Sequence, residues 1–315
     1  MSQTAAENGA LAPDSEATFS IDNGADPMHT MSLLWQGRSD PQMRFVGPDV
    51  VLRATRTSEG AAALRIRISA SRREALATAW GPGAARALEL VPGMVGALDD
   101  ASLLVPQHVL VANLARQLPG LRLARGGSVF ESLVVSILAQ KVTGPEARGV
   151  HQALVRRYGE AAPGPLGLRL PPLPEKLAKL PYWSFHPQGI ERRRADTIRQ
   201  AAAVAPQLEA IRRLSHDEGE RRLRSITGIG VWTAAETMRL ALGDPDAVSV
   251  GDFHLPRLIC WALAGESNGD DARMLELLEP YRGQRARVAL LIERGLFGQQ
   301  QRRAPRMPFR SIASI

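Results

Sequence analysis

The stretch Leu223-Arg-Ser-Ile-Thr-Gly-Ile-Gly-Val-Trp-Thr-Ala-Ala, residues 223–235, constrains this chain more than any other. Ser215 and Glu218 form a capping box that opens a helix ending near Arg224. Thr227-Gly228-Ile229-Gly230 then turns sharply, and a second helical run covers roughly 232–242. Two glycines flanking one apolar residue predict positive φ in the turn, with Ile229 anchored in the core. The free amides of such a turn, with the positive end of the following helix, make a site for a phosphate oxygen. A grip of that kind holds a nucleic-acid backbone without reading bases.

Charge points the same way. The formal net charge is +7, yet the first 37 residues hold five acids (Glu7, Asp14, Glu16, Asp22, Asp26) and no base. The rest of the chain carries 39 bases against 27 acids, and only Lys141, Lys176 and Lys179 among the bases are lysines. A basic body suits a polyanion, and nucleic acid is the commonest one. No apolar run approaches the length of a membrane span, and no charged leader precedes an apolar segment, so a cytoplasmic protein without membrane contact is expected. Cys260 is the single cysteine, which excludes an internal disulfide and a cysteine-held iron–sulfur cluster. His186 and His254 lie in no zinc-ligand pattern.

Along the chain, residues 1–38 read as a disordered acidic tail. Residues 39–104 read as a small α/β domain, an antiparallel sheet plus helix. Val50 to Thr57 is strand-like, Ser58-Glu59-Gly60 turns, and Leu64, Ile66 and Ile68 alternate with Arg65 and Arg67. Ser71 and Glu74 resemble a capping box and predict a helix after the sheet. Residues 105–300 read as an all-helical domain: Ser128 and Glu131 open a helix with Phe130, Leu133, Val134, Ile137 and Leu138 on one face, and further helices cover about 253–264 and 271–295. Residues 301–315, with Arg302, Arg303, Arg306 and Arg310, read as a basic tail.

After the hairpin comes Gly243-Asp-Pro-Asp-Ala-Val-Ser-Val-Gly-Asp-Phe-His-Leu, residues 243–255. Asp252 stands just before a helical run, where spacing alone makes it an ordinary N-cap. The pairing of this segment with the hairpin resembles the motif of the helix-hairpin-helix DNA glycosylase superfamily, and is most similar to the 3-methyladenine DNA glycosylase II family. The helix Val129-Phe-Glu-Ser-Leu-Val-Val-Ser-Ile-Leu-Ala-Gln-Lys-Val-Thr (129–143) resembles the family's helix with a Gln at its DNA-facing end. The likeness spans roughly residues 40–295.

The resemblance implies a mainly α fold, duplex DNA with a damaged base as partner, a monomer, and Asp252 as catalytic carboxylate. It also implies DNA contacts at Thr227, Gly228, Ile229, Gly230 and Thr233, and a duplex wedge at Gln140 or Lys141. The only cofactor it implies is a sodium or potassium ion on the backbone carbonyls of Thr227 and Ile229. Family members that nick the strand carry a lysine in the second hairpin helix. Trp232 stands there instead, so hydrolysis to an abasic site without strand cleavage is expected. Trp232, Glu236, Tyr182 and Trp183 are the candidates for the base pocket, although the family commonly has an aromatic residue where Glu236 stands. The leading reading is removal of alkylated purines. Alternatives are another lesion (uracil, hypoxanthine, a bulky adduct) or a catalytically silent DNA-binding protein.

Overall fold

The computed structural model describes residues 11–21, 24–71 and 73–296. Five strands, β1 (Ser15–Ser20), β2 (Met43–Val46), β3 (Val50–Thr57), β4 (Gly60–Ser69) and β5 (Glu74–Trp80), make one antiparallel sheet in the order β1-β5-β4-β3-β2. The alternation in β4 works as expected: Leu64 and Ile66 are fully buried while Arg65 and Arg67 face solvent.

Two expectations fail here. The acidic segment 1–38 is not a disordered tail from Ser15 onward. β1 pairs with β5, Ser15 opposite Ala79 and Ser20 opposite Glu74, and Asp26 then caps α1 (Pro27–Ser32) by accepting from the His29 amide at 2.9 Å. The helix expected after Ser71 is strand β5. Ala75, Ala77 and Ala79 recur at period two and are fully buried, and Ala77 lies opposite both Ala17 and Ile66. Alanine favours helices in isolation, but here its smallness lets α2 (Ala84–Leu88) pack against this part of the sheet.

The remaining helices are α3 (Val91–Met94), α4 (Val109–Gln117), α5 (Val129–Leu138), α6 (Gly144–Tyr158), α7 (Pro174–Lys179), α8 (Arg192–Ala203), α9 (Ala205–Glu209), α10 (His216–Arg224), α11 (Val231–Leu242), α12 (Leu255–Ala264), α13 (Asp271–Leu278) and α14 (Arg285–Gly295). The run expected as one helix over 271–295 breaks at Pro280 and at Gly283, whose φ is +87°. The basic tail expected over 301–315 lies outside the described residues.

Two apolar cores hold the helical part. One gathers Leu133, Ile137, Leu154, Ile198, Leu223, Ile229 and Met238 from α5, α6, α8, α10 and α11 with their connections. The other gathers Leu114, Leu258, Ile259, Met274, Val288 and Ile292 from α4 and α12 to α14. The segment between α11 and α12 runs along the seam between them: Ala247 belongs to the first core and Val248 to the second. Arg287 on α14 forms a two-pronged ion pair with Asp99, at 2.8 and 2.6 Å, with both side chains almost wholly buried. Asp99 also accepts from the Leu123 amide, so it ties α14 to the strand-side chain and to the segment before α5. Such a pair fixes geometry more surely than it adds stability. Among the described residues, no helix is long and apolar enough to cross a membrane.

Candidate active site

The hairpin is built as a rigid ledge. α10 opens with the full capping box, Ser215 bonding the Glu218 amide and Glu218 bonding back. Ile229 is 6% exposed and seated in the first core. Gly228 has φ +93°, and a Cβ there would lie 2.2 Å from Thr197 Oγ1 on α8, so only glycine fits. Gly230 differs from expectation. Its backbone is extended, with φ −95°, and a Cβ would meet nothing. What its missing side chain leaves is open space before α11, whose first turn has no side-chain cap. Thr227 and Gly230 are exposed, as are Arg193 on α8 and Arg222 and Arg224 on α10.

Gln140 supports this ledge from below. Its amide nitrogen donates to the Gly228 carbonyl at 3.0 Å and to Thr233 Oγ1 at 2.8 Å. The glutamine expected to touch DNA is therefore spent on holding the turn, and Thr233, 3% exposed, is its internal partner rather than a surface contact. Lys141, next along, is exposed and left-handed at φ +55°. That backbone turn puts it beyond the end of α5, free of the pairing that holds Gln140.

Asp252 is positioned by a loop pinned at three places. Asp244 bonds His216 at the start of α10 and accepts from the Asp246 amide. Asp246 accepts from the amides of Gly283 and Arg285 at 2.7 and 3.0 Å and pairs with the Arg285 guanidinium at the start of α14. Gly251 donates to Asp271 at the start of α13. Burial pushes the Asp246 carboxyl up, but the Arg285 and backbone donors outweigh it and hold the group below its ordinary value. At the end of this loop Asp252 Oδ1 accepts from the amides of His254 and Leu255 at 2.7 and 2.8 Å. It thus does the work of an N-cap for α12. Its other oxygen, Oδ2, accepts from the indole Nε1 of Trp232 at 3.3 Å and is turned toward a cavity.

That cavity, about 170 Å³, opens along the seam between the two cores. Trp232, Glu236 and Arg239 come from α11, Ser249 and Asp252 from the pinned loop, and Ala286, Ala289, Leu290 and Glu293 from α14. Glu236 faces in, as expected for the pocket, but it is already engaged by the Arg239 guanidinium and the Ser249 hydroxyl. Burial raises its carboxyl, while Arg239 and these hydrogen bonds lower it further than burial lifts it, so it stays a carboxylate. A smaller cavity, about 60 Å³, lies between sheet and helices and is mainly apolar.

Tyr182 and Trp183 are not in the cavity lining. They form a one-turn segment against α8, where Arg192 lies 4.7 Å over the Tyr182 ring and Trp183 is 64% exposed. Three polar lining residues went unread in the sequence: Arg239, Ser249 and Glu293. The first two lie within segments already singled out. Glu293 sits in the ordinary-looking run Leu290-Leu-Ile-Glu-Arg, and only the folding of α14 across the seam brings it to Asp252.

The chain superposes on the 3-methyladenine DNA glycosylase of Archaeoglobus fulgidus with a TM-score of 0.75, at 20% identity, covering 90% of this chain and 100% of that one. The two proteins share one fold. An 8-oxoguanine glycosylase/lyase of Clostridium acetobutylicum also shares it, with a TM-score of 0.68, 12% identity, and 90% and 97% coverage. By sequence, a Bacillus subtilis protein provisionally named a DNA-3-methyladenine glycosylase is 26% identical over 136 residues, 42% of this chain. The chain thus matches about half of that relative's length, 46%. No family model matches the chain.

Proposed function

We propose that the protein is a DNA glycosylase that hydrolyses the N-glycosidic bond of a damaged purine turned out of the duplex. The observation that carries this reading is Asp252: a carboxylate held by two amides and an indole, one oxygen in a cavity, beside an uncapped helix start on a glycine ledge. The amides of Gly228, Gly230 and Val231, on either side of an Ile229 amide already bonded to the Ile226 carbonyl, would hold a phosphate, with Arg193 and Arg224 supplying charge around it. A nucleotide everted from the strand held there enters the cavity.

As the bond to the base lengthens, positive charge builds on the sugar. A carboxylate about 4 Å away stabilises that charge by roughly 4 kcal/mol at an intermediate dielectric. The same oxygen can orient the attacking water and take its proton. The indole of Trp232, fixed by its bond to Asp252, offers a ring face to an electron-poor base. None of the three lysines of the chain lines the cavity, and Lys176 is bonded to the Tyr158 carbonyl instead. With no amine to form a Schiff base, the product is an abasic site and the strand stays whole.

An alkali cation on the hairpin is compatible with the residues. The Gly228 carbonyl is taken by Gln140, but the Thr227 carbonyl has only a long contact, 3.4 Å, to Thr197. Carbonyl oxygens of Thr227 and Ile229 are the hard donors such an ion takes, and its charge would add to the attraction for phosphate.

Alkylated purines fit best, because a base that already bears positive charge is drawn to an acid-lined cavity and leaves readily. Release of 7-methylguanine and 3-methyladenine from methylated duplex DNA, with intact strands and no borohydride-trapped adduct, is the expected result. Tight binding to lesion-bearing duplex with no base released from any lesion in a panel would make the chain a binding protein instead. A trapped adduct would overturn the hydrolytic mechanism.

A further inference from the structure

The cavity holds one acid more than the mechanism above uses. Glu236 is committed to Arg239 and Ser249, and Asp252 to two amides and an indole. Glu293 lines the same cavity from α14, and among the described residues no hydrogen bond or ion pair engages it. It reaches the cavity from α14 close enough to feel the charges of Arg239 and Glu236 on α11 and of Asp252 on the loop, so a base seated in the cavity lies beside a second carboxyl besides Asp252. We propose that Glu293 is the proton donor to the departing base, and that this lets the enzyme release uncharged damaged purines as well as cationic ones. The inference rests on the glycosylase reading and adds to it a second catalytic residue, one that serves uncharged bases such as hypoxanthine.

The need for such a donor follows from the chemistry. A cationic base carries away the electron pair of the broken bond and becomes neutral. An uncharged purine would leave as an anion unless a ring nitrogen is protonated as the bond breaks. In the proposed step the bond between the sugar C1′ and the base N9 breaks, its electron pair passes to the ring, and the Glu293 carboxyl gives its proton to a ring nitrogen. The water oxygen bonds C1′, its proton passes to Asp252 and then to solvent, and Glu293 regains a proton from solvent. Base, water and abasic sugar balance, with no further reagent.

Glu293 is suited to the task near neutral pH. Surrounding protein pushes its carboxyl up to about 7; Arg239 opposes this, Glu236 and Asp252 add to it, and Arg294 opposes it weakly. Neither α4 nor α12, the other helices against α14, contributes a charged group to the cavity lining. The residue is exposed at the cavity mouth, so water screens these influences in the free protein. A bound base displaces that water and strengthens the upward push. A general acid matched to the working pH contributes about 10² to 10⁴-fold in rate.

The test compares single-turnover release of hypoxanthine, which is uncharged, and 7-methylguanine, which is cationic, by the wild-type protein and Glu293→Gln. The expected result is a loss of about 10²-fold or more on hypoxanthine, and a change within about threefold on 7-methylguanine. The wild-type rate on hypoxanthine should also fall as pH rises above about 7, while the rate on 7-methylguanine should not. Equal slowing of both bases, no slowing on hypoxanthine, or the same pH profile for both would overturn the proposal. So would a wild-type protein that releases 7-methylguanine and never hypoxanthine, which leaves the glycosylase reading standing. Release of neither base removes both. The wild-type pH comparison does not depend on how well the variant folds.

Discussion

Replacing Asp252 by Asn separates the two jobs that this side chain performs. An asparagine oxygen can keep both short bonds that Oδ1 makes, 2.7 Å from the His254 amide and 2.8 Å from the Leu255 amide, so the start of α12 should survive. The new amide nitrogen then faces Trp232 Nε1, donor against donor, across the present 3.3 Å bond. Losing that bond should cost about 1 to 2 kcal/mol of stability. The charge, however, is gone. At about 4 Å and an intermediate dielectric this removes roughly 4 kcal/mol of stabilisation from the reacting sugar, which is about 10³-fold in rate. Binding to lesion-bearing duplex should hold or tighten, since a negative charge has left the DNA-facing side. Single-turnover release of 7-methylguanine, anisotropy binding and an unfolding curve, run on the same preparation, report the three effects. A rate loss below about tenfold would refute the electrostatic argument. Loss of binding in step with activity would show that Asp252 matters only as a cap.

The two hairpin glycines should respond differently. Gly228→Ala places a Cβ 2.2 Å from Thr197 Oγ1 at a φ of +93°, and should cost about 2 to 4 kcal/mol in chemical denaturation. Gly230→Ala meets no atom and should change stability by less than about 1 kcal/mol, while its methyl intrudes on the phosphate ledge and weakens DNA binding. Arg287→Met strands the buried Asp99 carboxylate and should destabilise by about 3 to 5 kcal/mol, part of which returns when Asp99→Asn is added. His216 is held above its ordinary value of 6.5 chiefly by its hydrogen bond to Asp244. Its contribution to stability is therefore fully present below 6.5 and lost as pH rises through the raised value. His216→Gln should flatten that part of the stability–pH curve, and an unchanged slope would rule out the link.

Much of the site was legible because its signals are local. The hairpin needs a glycine that turns and an apolar residue that anchors, and both sit within four positions of sequence. Asp252 follows in a loop whose Gly, Pro and Asp residues announce a turn. Trp232 and Glu236, one turn apart on a helix, fall on the same face by periodicity alone. Gln140 was found, but its bonds to the hairpin were not, since a helix-end glutamine reads alike whether it meets a phosphate or a carbonyl of its own chain. Tyr182 and Trp183 looked like a pocket wall because aromatic clusters often are, yet their place is decided by α8, far away in sequence. Glu293 left no local trace. In the fold, β1 and β5 were missed for one reason: their strands are short and rich in Ala, Ser and Thr, so pairing and packing override weak intrinsic preference. β1 has its partner on one side only, and β5 draws its stability from lying between two neighbours.

Three of the uncharged residues that wall the cavity are of the smallest kind: Ala247, Ala286 and Ala289. They come from the pinned loop and from α14; the Ala286 amide itself bonds the Pro245 carbonyl of that loop, while Ala289 lies one turn further along α14. The chamber's capacity is therefore adjustable apart from its chemistry. A methyl exchanged for a larger group at Ala289 would act as a stopper that admits slim heterocycles and turns away broad ones, with the reactive carboxylate left where it stands. On the proposed function, the size of lesion admitted would be set from the α14 wall.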